Sequence, residues 1–334
     1  MNLEPGVAYT LAFIASGAVV VYAGTKLARF ADAIAEGTRL GRLWTGSMLL
    51  ATATSLPELA TDVAAVRLGA VDLAVGDLFG SSLANMLILA MIDLLPPRGR
   101  VFERAAFDHV LAGGLAIGLN AAAAVLVLAG ASTSWFWLGP GSLALFAFYV
   151  LGTRAVFRHA TRDLATPSGP LTAPAMPLRA AITGFAAAAA LVLLAAPAFA
   201  WSAKGIAEIT GLGNTFVGTW LVGMATSLPE LVTSFAAVRL GAYDLAVGNL
   251  FGSNAFNMAV FLPLDLVQPG NLFAALDPNH ALSGLCAVVL MSLGLSAIVY
   301  RAKRQFALLE PSSVLMVVAY AGAIALLYRV AAGT

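Results

Sequence analysis

The sequence predicts an all-α polytopic membrane protein: ten transmembrane helices arranged as two inverted five-helix repeats, with helices 2 and 7 broken at mid-membrane. Three observations predict it. The chain is 60% hydrophobic and 10% charged, against about 25% charged in soluble domains. Its apolar runs reach the roughly 20 residues a membrane helix needs, and they lack the ~10-residue alternation of a transmembrane barrel. Finally, one stretch occurs twice. Residues 53–86 (ATSLPELATDVAAVRLGAVDLAVGDLFGSSLANM) and 225–258 (ATSLPELVTSFAAVRLGAYDLAVGNLFGSNAFNM) match at 26 of 34 positions, at a constant offset of 172.

The first span, 7–28, is followed by Lys26 and Arg29 and has no Ala-x-Ala pattern, so it reads as a retained helix and not a signal peptide. The second, 40–67, is interrupted by Pro57, and the third, 72–95, carries Asp77, Ser81 and Asn85 at a spacing of four. Spans four and five are 107–129 and 134–156. The segment 158–178, rich in Pro, Ser and Thr, reads as a cytoplasmic linker. Spans six to ten are 180–201, 214–239 (interrupted by Pro229), 244–267, 280–300 and 311–331. The chain thus divides into a first repeat over 1–157, the linker, and a second repeat over 179–334.

Five spans per half is an odd number, so the two halves enter the bilayer in opposite senses, an architecture typical of secondary transporters. Loop charge gives an independent test. If the termini share one face, it carries Arg67, Lys204 and Arg329, and the other face carries the remaining 15 of the 18 basic residues. The basic face is expected to be cytoplasmic. Both termini are then extracytoplasmic, in a cell inner (plasma) membrane. The net charge of +1 argues against a nucleic-acid partner. The lone Cys286 reads as a small core hydrophobe. No feature points to an obligate protein partner, a cofactor or enzymatic chemistry.

Backbone interruptions and carboxylates are costly in a hydrocarbon layer, so a doubled break with a doubled carboxylate marks an ion path. Proline lacks an N–H and clashes with the carbonyl four residues back. The helix is therefore expected to break near Thr54, freeing carbonyls between Leu50 and Thr54. Ser55 and Glu58 have the spacing of a capping box for the next helix. The second copy repeats this from Gly223 to Glu230. Brought together, the copies supply two carboxylates, four hydroxyls and several carbonyls, an all-oxygen set suited to a hard cation such as Ca²⁺. No His or Cys cluster is present there to favour zinc or copper.

Asn249, Ser253 and Asn257 repeat the Asp77, Ser81, Asn85 face. Gly76, Gly80, Gly248 and Gly252 form an adjacent stripe that reads as close helix packing. Asp72 and Asp244 read as helix caps. His109, His159 and His280 lie near span ends and are expected to be unpaired.

At the doubled block the sequence resembles the sodium/calcium exchanger family, within the cation/calcium antiporter superfamily. The family's Gly-Thr-Ser-Leu-Pro-Glu-Leu and Gly-Asn-x-x-Gly-Ser-Asn-x-x-Asn/Asp patterns match Ala53–Leu59 with Gly76–Asn85, and Ala225–Leu231 with Gly248–Asn257. The resemblance implies four cation sites in a diamond at mid-membrane. Glu58 and Glu230 would be the central carboxylates, shared by Ca²⁺ and Na⁺. Thr54, Thr226, Ala51 and Gly223 would offer backbone carbonyls. Ser55, Ser227, Ser81 and Ser253 would offer hydroxyls, and Asn85 and Asn257 would complete the middle. The first and sixth helices would slide as a pair to alternate access.

Three departures stand out. Alanine (Ala53, Ala225) replaces the glycine before Thr-Ser. Asn257 stands where some prokaryotic and potassium-dependent relatives have Asp, which removes a carboxylate. Asp77 stands where the family usually has Asn, as Asn249 does in the other repeat, and is expected to add an acidic group beside the path. The implied activity is exchange of Na⁺ for Ca²⁺ by a secondary active antiporter. The alternatives are H⁺/Ca²⁺ exchange at the same glutamates and a passive cation channel.

Overall fold

The computed structural model describes residues 5–37, 50–94, 101–104, 109–130, 139–162, 176–239, 241–300 and 311–333. Among the described residues every regular element is helical. The main helices are α1 (Pro5–Gly37), α2 (Leu56–Arg67), α3 (Val71–Leu94), α4 (His109–Ala129), α5 (Pro140–Arg162) and α6 (Leu178–Thr210). Then come α7 (Gly213–Thr226), α8 (Leu228–Arg239), α9 (Tyr243–Ala259), α10 (Phe261–Val267), α11 (His280–Tyr300) and α12 (Pro311–Ala332). Eight of the described helical stretches are long and apolar enough to cross a membrane, or nine if the bent pair α7 and α8 counts as one. The expected second span, 40–67, is described only from Leu50; its first part lies outside the described residues.

Local sequence accounts for where these helices begin and end. Pro140 and Pro311 occupy the first position of α5 and α12, where a missing N–H costs nothing. Gly211 closes α6 at φ +69°, a conformation that carries no steric penalty only for glycine. Gly69 and Gly241, equivalent in the two copies, adopt φ +73° and +78° in the turns leading to α3 and α9.

α3 is the axis of the molecule. In its apolar stretch 89% of the residues are buried, against 17% in α1, α5 and α12. The peripheral helices instead turn large apolar side chains outward, among them Leu193, Leu194, Val125 and Leu151. Such outward faces suit a hydrocarbon solvent. α1 packs along α6. Small residues allow the approach: Gly205 faces the Tyr9 ring, Gly184 faces Phe30 and Gly17 faces Phe199.

Both interruptions fall on the serine of the doubled motif. Ser55 sits at φ −88°, ψ 5° before α2, and Ser227 at φ −80°, ψ 2° before α8. The axes of α7 and α8 diverge by 40°. Ahead of the second interruption the chain widens into a π-helical turn, Gly218–Val222, a feature absent from the sequence-based expectation. Such turns occur often at functional sites.

Candidate functional site

Thr54, Ser55, Glu58, Asp77, Ser81, Asn85, Thr226, Ser227, Glu230, Ser253 and Asn257 are all fully buried, and Ala51 and Gly223 are buried with them. They come from the two interruptions and from the middle of α3 and α9, which run side by side. Contacts between the halves hold the group together. The Ser55 hydroxyl donates to Glu230 Oε1 at 3.4 Å and makes a short contact with the Ser253 hydroxyl. Ser253 donates to the same Glu230 oxygen at 3.0 Å. From the other side, Thr226 donates to Asp77 Oδ1 at 2.8 Å, and Thr54 donates to Asn249 Oδ1 at 3.3 Å. Glu58 lies close enough to both Glu230 and Asp77 for their charges to interact.

The amide layer one turn further along α3 and α9 is built differently. Asn85 Nδ2 donates to Asn254 Oδ1 at 2.8 Å, and Asn254 Nδ2 donates to the Ser82 carbonyl at 3.3 Å. Asn120 Nδ2 reaches the Asn254 carbonyl at 3.3 Å. Asn254 thus ties α3, α4 and α9 together. It differs from its repeat-mate Ser82, and that mismatch was the only sequence signal for it.

Several expectations need correction. Ser55 makes no side-chain cap on α2, so the capping box with Glu58 does not form; its hydroxyl is committed to Glu230 and Ser253. The carbonyls before the interruption are not all left bare. Ser55 N–H donates to the Ala51 carbonyl at 3.0 Å, and the Thr54 hydroxyl back-bonds to the Leu50 and Ala51 carbonyls at 3.1 Å. In the second copy Ser227 N–H donates to the Gly223 carbonyl at 3.3 Å, and Thr226 back-bonds to Val222 at 3.0 Å. Each carbonyl retains a second lone pair.

Nor are the histidines unpaired. His109 Nε2 meets Asp244 Oδ1 at 3.1 Å, and His280 Nε2 meets Asp72 Oδ1 at 3.0 Å, so Asp72 and Asp244 serve cross-half pairs. His159 lies where no side chain is described. The glycine stripe packs as expected in the first copy: methyl groups at Gly76 and Gly80 would strike the backbone of Thr215 and Thr219, and one at Gly223 would come within 2.7 Å of the Gly80 carbonyl carbon.

The electrostatics of the group are one-sided. Among the described residues the buried polar set contains Glu58, Asp62, Asp77 and Glu230 and no lysine or arginine. Both Glu58 carboxyl oxygens, Glu230 Oε2, the Ser227 hydroxyl, Asn85 Oδ1 and both polar atoms of the Asn257 side chain lack any hydrogen-bond partner. Each such buried atom costs about 1–3 kcal/mol if left uncompensated. A positive charge drawn among them offsets that cost for the oxygen atoms. No group of three or more His, Cys, Asp and Glu able to hold a metal occurs among the described residues, so hydroxyl and amide oxygens would have to supply most of a coordination shell. Asp62 was missed by the sequence reading. It stands where the second copy has Ser234, and that difference was visible in the alignment of the two copies.

Comparison with known proteins adds four likenesses. The family model described as "Sodium/calcium exchanger protein" matches residues 8–154 and 180–329. The chain is 28% identical over 293 residues to "Putative antiporter CaxA" of Alkalimonas amylolytica, covering 85% of this chain and 89% of that protein. It is 28% identical over 305 residues to "Inner membrane protein YrbG" of Escherichia coli (strain K12), covering 86% and 87%. A solved structure of the sodium-calcium exchanger NCX_Mj superposes with a TM-score of 0.61 at 20% identity, covering 96% of this chain and 98% of that one. That last likeness establishes a shared helical fold.

Proposed function

Because the chain belongs to the sodium/calcium exchanger family, a group of multi-pass membrane cation antiporters, we propose that it is a secondary active antiporter exchanging Na⁺ for Ca²⁺. Exchange proceeds by alternating access at an all-oxygen site midway across the membrane. Glu58 and Glu230 are the central carboxylates. Ser55, Ser227, Ser81 and Ser253 supply hydroxyls, and Asn85 and Asn257 supply amide oxygens. Ala51, Gly223, Thr54 and Thr226 supply carbonyls, and Asp77 adds a further carboxylate.

One observation carries this reading. Buried carboxylates from both copies of the motif meet in a region with no buried lysine or arginine among the described residues, so their charge has no fixed partner there. Isolated buried charges are too costly to persist uncompensated. A cargo cation that comes and goes supplies the balance, and two glutamates match one Ca²⁺ or two Na⁺.

The same reading takes residues 1–157 and 179–334 as inverted repeats joined by a cytoplasmic linker, 158–178. The molecule then sits in the cell inner (plasma) membrane with both termini extracytoplasmic. The repeat offset that relates Glu58 to Glu230 supports it, since it also relates Asp72 to Asp244 and Asp93 to Asp265.

The deciding experiment is isotope flux in liposomes holding the purified chain. Calcium uptake driven by an imposed sodium gradient is the expected result. Uptake driven by a pH gradient and indifferent to sodium would replace Na⁺ with H⁺ as the coupling ion. Unitary currents in planar bilayers would replace exchange with a channel.

A further inference from the structure

The two copies of the motif differ at one contact. In the second, the Asn249 amide donates to the Thr233 hydroxyl and to the Ser234 hydroxyl, each at 3.3 Å. This neutral network joins α8 to α9. The equivalent residues of the first copy are Asp77, Thr61 and Asp62. A carboxylate has no N–H to give, so Asp77 cannot repeat the bonds of Asn249. α2 nevertheless packs against α3 as α8 packs against α9, so the Asp62 and Asp77 carboxyl groups lie close enough for their charges to interact. No donor serves either Asp62 oxygen, Asp77 Oδ2 or the Thr61 hydroxyl, and all three side chains are fully buried. Asp77 Oδ1, by contrast, is fixed by Thr226 at 2.8 Å and Ser81 at 3.1 Å. Where the second half places two amide hydrogens, the first half therefore presents carboxylate and hydroxyl oxygens alone.

We propose that Asp62 and Thr61, sharing Asp77 with the central site, hold a further cation, one helical turn along α2 from Glu58 and absent from the second half. The inference rests on the central-site reading above but is separable from it. Carboxylate and hydroxyl oxygens that no donor serves are the ligand type a hard cation takes. Four residues of helix span about 6 Å, so this position lies beside the glutamate pair and outside it. The chemistry is that of an oxygen-ligated sodium or calcium ion. Only the half that contains α2 and α3 provides it, so the two approaches to the central site differ in charge.

The test is equilibrium binding of ²²Na⁺ alone and of ⁴⁵Ca²⁺ alone to the purified full chain in nanodiscs. It compares the wild type with Asp62→Ser, which installs the second copy's own residue and leaves Asp77 of the central site in place. The expected result is about one bound cation fewer per chain in one arm, and the arm identifies the ion. Unchanged counts and affinities in both arms would overturn the proposal and leave the two acids neutralised by a proton alone. If Asp62→Ser does not elute as a monodisperse species, Asp62→Asn keeps the side-chain shape, removes the charge and is read the same way. Glu230→Gln in the same assay separates the two readings. Cation counts unmoved by Glu230→Gln would sink the central site, whereas counts unmoved only by the Asp62 substitutions would sink this one.

Discussion

Glu58 and Glu230 occupy equivalent positions in unequal surroundings. Glu230 Oε1 accepts from Ser253 and Ser55. The mirror-image donors for Glu58 would be Ser81 and Ser227, but Ser81 is turned to Asp77 and the Ser227 hydroxyl has no partner. A carboxylate fixed by two hydroxyls is pre-oriented, whereas one without donors takes its orientation from whatever cation it meets. Glu58→Gln and Glu230→Gln are each expected to abolish calcium uptake with the protein still folded. Flux near the wild-type level from either would remove the pair as the ligand core. Thr54→Ala should be milder. It deletes a hydroxyl that bonds Asn249, a loss of about 1 kcal/mol, and it keeps the backbone carbonyl. Uptake reduced by less than about tenfold is the expected reading, and complete loss would make the hydroxyl itself a ligand.

At the scale of elements, α1 crosses both interruptions at a single residue. A methyl on Gly24 would come within 2.7 Å of Pro229 Cγ and 3.0 Å of Pro57 Cγ. The two prolines that end the apolar helices are thus also the surface over which α1 lies. Gly24→Leu is expected to slow turnover sharply while equilibrium calcium binding persists, and equal loss of both would show a packing defect only. Gly80→Val is a different case, because its new methyls would meet the backbone carbonyl of Thr219, which cannot rotate away. Overpacking of this kind costs about 1–3 kcal/mol or more. A lowered midpoint in thermal unfolding is expected, and an unchanged one would mean that α3 and α7 can separate freely.

These contacts also show what the sequence could and could not reveal. The glycine stripe and the doubled proline were readable because spacing alone fixes which helix face they occupy. The failure of the capping box was not, since Ser55 chooses between its own helix and Glu230, and the latter lies 175 residues away. The π-helical turn before Ser227 left no residue-type signature. Asp62 was hidden for the opposite reason: it was plain in the repeat alignment, but its meaning depends on facing Asp77 across two helices.

Across the whole molecule the halves are joined by reciprocal polar pairs. His280 of the second half meets Asp72 of the first, and His109 of the first meets Asp244 of the second. Asp93 accepts from Ser313 at 2.6 Å, and Asp265 accepts from Ser142 at 2.5 Å. In an inverted arrangement each type of pair appears once near either face. Asp72→Asn and Asp244→Asn are therefore expected to shift the apparent calcium affinity in opposite senses when it is measured from the two sides of the vesicle membrane. Shifts of the same sign would show that these pairs brace the fold without biasing access.

The Asp93–Ser313 bond bears on biogenesis. Its two partners are 220 residues apart, and the serine lies at the start of α12. The amino-terminal bundle must therefore wait, incompletely tied, until α12 has been made. If the ribosome product were cut within 158–178, neither fragment would carry both members of the tie, and co-translated fragments would have to find each other to recover it.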